Sequence, residues 1–164
     1  MSGGNVKIVD KTRKPRGVFK LRMYRHVNGK RRLIEVFEDK NLIVDLARIT
    51  MAHLVAGEVT HEVSGVVKGR HITTMGFGTD GTEPEEPDTM LTDAFTKALD
   101  GFEYPVDGRV QFNWSLGTGE ANGKAIREFG LFCADGSLFA RRVREMPINK
   151  EDDISLEGTW TIIF

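Results

Sequence analysis

The clearest pattern along the chain is alternation of apolar and polar positions. In VFKLRMYRHV, residues 18–27, Phe19, Leu21 and Met23 fall on one face of an extended strand. Asn28-Gly29 follows, a pair suited to the two positive φ angles of a tight type I′ turn, and RRLIEVF returns as a second strand. A hairpin over 18–38 is therefore expected. The period then changes. In KNLIVDLARITMAHLVAG, residues 40–57, Leu42, Leu46, Ile49, His53 and Leu54 recur at helical spacing, and Gly57 supplies a stop. Val44, Ala47, Met51 and Val55 widen the apolar arc, so this main helix is expected to be covered on more than one side.

Beyond a loop at 58–68, GRHITTMGFG reads as a strand, and an acidic, proline-marked loop comes next. DTMLTDAFTKAL, residues 88–99, reads as a second, short helix. The rest reads as β. RVQFNWSL puts Val110, Phe112, Trp114 and Leu116 on one face, and AIREFGLFC and SLFARRV flank an Asp135-Gly136 turn. ISLEGTWTIIF aligns Ile154, Leu156, Trp160, Ile162 and Phe164. The expected fold is mainly β: an antiparallel β-sandwich with one main helix, a second short helix and an extended basic N-terminal arm. The arm takes residues 1–17 and is expected to lack order by itself. Residues 18–164 form one sandwich-like domain, with the 18–38 hairpin read as a docking extension.

Composition changes this picture in one respect. Hydrophobic residues at 40% and charged residues at 29% are ordinary for a globular chain of 164 residues. The net charge of −1 hides an asymmetry: residues 1–32 hold eleven Lys or Arg against Asp10 alone, so they carry +10 and the remainder −11. A basic arm on an acidic body points to docking between unlike surfaces. No run of apolar residues is long enough for a membrane helix, and the N-terminus lacks the apolar core of a secretory signal. Cys133 is the only cysteine, which excludes an intramolecular disulfide and a cysteine cluster within one chain.

Candidate chemistry is sparse. GFGTDG, residues 76–81, fits the G-x-G-x-x-G spacing of dinucleotide binding. That motif works only when the glycines open a helix whose free N–H groups hold a pyrophosphate. Here two prolines and four acids follow (TEPEEPD), so the glycines are expected to serve packing and turns instead. His26, His53, His61 and His71 show no metal-ligand spacing, and the acids of the loop lack the alternation of a calcium loop. No nucleophile elbow is present, and Cys133 sits within a β run. No catalytic residue, metal or cofactor is expected.

Several linked motifs, in order, do carry a resemblance. They are the pair Gly76 and Gly78, a Pro/acid loop ending in D-T-x-L at Asp88–Leu91, and E-A-N-G-x-x-I-x-E-x-G-L-F from Glu120 to Phe132. L-F-A-R at Leu138–Arg141, I-x-K ending at Lys150, and a final W-x-I-x-F strand from Trp160 follow. From about residue 41 onward the chain resembles a widespread group of small tailed-bacteriophage virion proteins, structural components associated with tail, collar or fibre. The resemblance implies a sandwich-like body without catalysis, localisation in the virion after assembly in the host bacterial cytoplasm, and no membrane. Residues 1–40 depart from that pattern and look like a docking addition. The residues expected to dock are Lys11, Arg13, Lys14, Arg16, Arg31 and Arg32. Their expected partners are Glu83, Glu85 and Glu86 of an adjacent copy in a ring or other symmetric oligomer, or other virion proteins. Two alternatives stand beside this. One is a glycan-binding module using Trp114, Tyr104 or Trp160; the other is a head or neck protein whose basic arm meets DNA.

Overall fold

The computed structural model describes residues 14–164, and Lys11 and Arg13 lie outside that range. Two long strands come first, β1 (Arg16–Val27) and β2 (Lys30–Ile43), then one helix, α1 (Asp45–Val55). β3 (Thr60–Val63), β4 (Val66–Gly69), β5 (Ile72–Gly78), β6 (Phe95–Ala98) and β7 (Gly101–Glu103) follow. β8 (Arg109–Leu116), β9 (Ala125–Cys133), β10 (Leu138–Asn149) and β11 (Ile154–Ile163) complete the order. Nine strands join one antiparallel sheet in the order β6-β5-β9-β10-β2-β1-β11-β8-β7, and β3-β4 stand apart as a small hairpin.

The turn chemistry sets the first hairpin. Asn28 and Gly29 have φ of 49° and 71°, the signature of a type I′ turn. β1 then lies between β2 and β11, and Phe19 and Leu21 are fully buried. The base of this hairpin is thus integral to the sheet of its own chain, and Arg16 and Gly17, expected in the arm, are its first two residues.

The expected sandwich appears as one continuous curled sheet. β2 carries it round the corner, pairing with β1 along its length and with β10 only at Leu42 and Ile43. The curl brings the two ends of the sheet face to face over a shared aromatic core. The Phe19 ring lies 5.0 Å from Trp160 and 5.5 Å from Trp114 in its own half, and 4.7 Å from Phe129 across the core. Phe77 meets Trp114 edge-on at 5.7 Å. Trp114 and Trp160 are 2% and 0% exposed, so neither offers a face to a glycan, whereas Tyr104 is exposed beside Phe102. Burying a large apolar side chain gains roughly 1.5–3 kcal/mol, so these rings dominate the stability of the closure.

Two helical expectations are corrected. The main helix begins at Asp45, not at residue 40, because Leu42 and Ile43 are claimed by ladder pairing with Arg141 and Ala140. Only Ala47 and Thr50 of α1 are buried, and Ile49 and Val55 face outward, so it is covered on one side. Residues 88–99 form no helix. They run as a loop into β6, which pairs with β5 so that Phe95 stands opposite Phe77. Sheet pairing and the burial of Leu91 against Val44 and Leu138 override a weak helical preference.

Candidate functional site

The glycine stretch closes β5 and leads into the acidic loop. Gly76 and Gly78 are needed for close approach rather than for positive φ. A Cβ at Gly76 would stand 2.6 Å from the Phe132 ring; one at Gly78 would stand 2.8 Å from the Thr92 carbonyl oxygen and collide with the Glu128 carboxylate. Asp80 then turns the chain: its Oδ1 accepts from the Thr82 amide at 3.0 Å and the Thr82 hydroxyl at 2.7 Å. These bonds, the amide first, hold the Asp80 carboxyl below its ordinary range.

The loop is clamped to the sheet by one buried cation. Arg141 projects from β10 and is 3% exposed. Its Nε donates to Glu128 Oε2 at 2.8 Å, Nη1 to Asp88 Oδ2 at 2.9 Å and Nη2 to Asp80 Oδ2 at 3.3 Å. Glu128, itself 1% exposed, accepts through Oε1 from the amides of Thr92 at 2.6 Å and Asp80 at 3.2 Å. One guanidinium thus ties β9 to both ends of the loop. Burial opposes its charge, but Glu128 and Asp88 outweigh burial and hold its pKa above the ordinary arginine value.

Clamping presents Glu83, Glu85 and Glu86 on an exposed crest. Glu86 accepts from Arg48 of α1 at 3.0 Å, and its carbonyl accepts from the Asp45 amide at 2.8 Å. Lys14 stands 3.8 Å from Glu86 of the same chain. The structure therefore joins one expected basic residue to one expected acidic residue within a single copy. That pair is exposed on both sides, and such pairs contribute about 0–1 kcal/mol.

The other basic residues lie at the hairpin. Arg16 is exposed at the start of β1, far along the strand from the tip. Arg31 stacks 3.4 Å over the Tyr24 ring and donates to Glu157 at 2.8 Å. Arg32 is exposed and forms no ion pair among the described residues. Around them Val27, Leu33, Ile34 and Val36 are 56%, 47%, 38% and 63% exposed, so the tip is basic and aliphatic at once.

A second polar knot holds the loop between β8 and β9. Lys150 is fully buried, and its ammonium donates to Asn122 Oδ1 at 2.6 Å, the Glu151 carbonyl at 3.0 Å and the Thr118 carbonyl at 3.3 Å. Burial pulls its pKa below the ordinary lysine range. Glu120 accepts from the Gly117 amide at 2.7 Å and from Lys97 at 2.9 Å. The Gly117 amide, more than Lys97, holds the Glu120 carboxyl down. At Glu157 burial acts upward, and the hydrogen bonds from Tyr24 and Arg31 outweigh it. Both glutamates are depressed by folding, so their stabilisation is complete above about pH 5, beyond the unfolded-state value, and drains away as pH falls through the folded-state values. The urea midpoint at about pH 3 is expected to fall well below that at about pH 7, with Glu120→Gln narrowing the gap. Equal midpoints in both buffers would contradict these contacts.

Three of the four histidines pair separately, His53 with Glu58, His61 with Asp135 and His26 with Ser155. Among the described residues no group of three or more His, Cys, Asp or Glu is placed to hold a metal. Burial pushes the Cys133 thiol up to about 11, which disfavours the reactive thiolate at neutral pH.

Sequence reasoning missed Arg141 and Lys150 as organising centres. The available signal was a charge inside an apolar strand: Arg141 after Leu138-Phe139-Ala140, facing Glu128 inside AIREFGLFC. No family model, curated protein or solved structure matches the chain.

Proposed function

We propose that this protein is a non-enzymatic building block of a tailed-phage virion, an oligomeric connector or fibre anchor in the tail, collar or baseplate region. We read the curled sheet as a sandwich whose two layers share β2. The observation that carries the proposal is the first hairpin. Its base is locked into the core by Phe19 and Leu21, while its tip stands exposed with Lys30, Arg31 and Arg32 among aliphatic side chains. A rigid base transmits load, and a basic, apolar tip suits a protein surface with acidic and aliphatic character. The motifs that resemble phage virion proteins support the same reading, because Asp88, Glu128 and Arg141 meet in one clamp and Asn122 and Lys150 in another. Both clamps shape loops.

Contact with DNA is the weaker alternative. Two of the tip cations are already balanced within the chain, Arg25 by Asp153 and Arg31 by Glu157. The expected partners are copies of the same chain and other virion proteins.

Reversing the charge at Lys11, Arg13, Lys14, Arg16, Arg31 and Arg32 tests the assembly role. The variant is expected to keep the circular dichroism and melting behaviour of a folded chain, yet to be missing from purified particles. Normal incorporation at physiological salt would remove the docking role of these residues. A parent protein that never sediments with particles would remove the virion reading itself.

A further inference from the structure

β2 is a long strand with one open side. β1 pairs with it from Lys30 to Asn41, but on its other edge β10 reaches it only at Leu42 and Ile43. Beyond that point β10 diverges into the opposite half of the curl. Only side chains then span the gap, Arg142 to Asp39 at 2.6 Å and Arg144 to Glu35 at 2.7 Å. Residues 30–41 thus offer the backbone N–H and C=O groups of an unpaired edge, and such an edge is a template for another strand.

The side chains of this edge follow an order that reads the same way in two copies only when they run in opposite directions. Lys30, Arg31 and Arg32 occupy one end, Glu38 and Asp39 the other, and Leu33, Ile34 and Val36 the middle. We infer that the β2 edges of two copies pair antiparallel about a two-fold axis near Glu35, each Arg31-Arg32 meeting the other copy's Glu38-Asp39. Parallel, in-register pairing sets arginine on arginine and acid on acid, which is destabilising. Antiparallel pairing puts unlike charges together at both ends, covers the exposed Leu33 and Val36, and brings the two Glu35 side chains together at the axis, each held by Arg144 of its own chain at 2.7 Å. It is isologous, so it closes at two copies and does not propagate into a fibre.

Pairing between copies exchanges contacts made within the chain: Arg31 donates to Glu157 at 2.8 Å and Arg142 to Asp39 at 2.6 Å, and both pairs are partly exposed. Glu38 pairs with Lys20 at 3.2 Å, but both side chains are more than half exposed. Arg32 has no acidic partner among the described residues. The irregularity of the β1–β2 register beside Tyr24 leaves Ile34 without a partner on β1, which twists the strand locally. A bulge and edge charges of this kind discourage indiscriminate strand addition, and they leave this one self-complementary match. The inference deepens the building-block reading by naming the first partner, a second copy, and it fails or stands separately from virion incorporation.

Sedimentation of the parent protein over a range of concentrations is expected to show dimers that weaken with added salt. Two charge-reversed proteins complete the test, R31E/R32E and E38R/D39R. Each is expected to be a folded monomer, since self-pairing now sets like charges together. Mixed in equal amounts they regain a dimer, because each end of the mixed pair is again of unlike sign. V36K serves as a further variant: Val36 is 63% exposed, so lysine there leaves the fold intact and is expected to weaken dimers at least tenfold. A parent that stays monomeric at its highest soluble concentration overturns the inference. So do dimers that survive all these changes, or two folded reversal variants that fail to associate when mixed.

Discussion

Replacing Arg141 with methionine is expected to cost the fold about 3–5 kcal/mol, a large share of the stability of a single domain. The reason is what stays behind. Glu128 is 1% exposed and loses its cationic partner, with Asp80 and Asp88 close by. Two amide bonds to Oε1 remain, from Asp80 and Thr92, and they do not balance a buried carboxylate. Neutralising the stranded partner in Arg141→Met/Glu128→Gln is expected to recover much of the loss, the usual outcome when both members of a buried pair are removed. Arg142, whose ion pair with Asp39 lies nearer solvent, serves as the control, and its alanine variant is expected to lose about 1 kcal/mol or less. Urea unfolding of all three variants measures this. An Arg141→Met protein within about 1 kcal/mol of the parent would show that the clamp does not hold the loop.

Phe19→Ala is expected to cost a comparable 3–5 kcal/mol by removing a buried ring and leaving a cavity. Phe19 is the point where the halves of the curled sheet meet, touching Trp114 and Trp160 on one side and Phe129 on the other. The loss is therefore expected throughout the protein, with tryptophan fluorescence and far-ultraviolet dichroism collapsing at the same denaturant concentration. The same packing predicts that a chain lacking residues 14–38 does not fold, since β11 loses its neighbour β1 and the core loses Phe19 and Leu21. A soluble, cooperatively melting remnant would mean that the hairpin is an appendage after all.

Much of this architecture was legible in short-range pattern. Alternation in RVQFNWSL marks β8, and Asn28-Gly29 and Asp135-Gly136 mark real turns, because both signals arise from local backbone preference. The errors have a common physical origin. Leu91, Phe95 and Leu99 recur every fourth residue, which mimics a helix face, but Leu91 packs under Val44 while Phe95 pairs across to Phe77. Residues 40–43 lie in a helical pattern until β10 recruits the last two of them. Partners distant along the chain decide both cases. The candidate site divides in the same way. The exposed basic and acidic residues could be read from composition, and Lys14 meets Glu86 of its own chain, where the expected partner is an adjacent copy. The clamp could not, because Arg141 meets residues 13, 53 and 61 positions away.

The placement of β11 between β1 and β8 has a kinetic consequence. Arg16 pairs with Ile163, so the centre of the sheet is sewn from segments at opposite ends of the described chain. Closing so long a loop costs entropy before any contact repays it, which makes folding slow compared with proteins built from local contacts. The β1–β2 hairpin is local in sequence and is expected to pair before β11 reaches its flank. A chain interrupted before Ile154 holds that flank open indefinitely, and its natural fate is to clump with others like it.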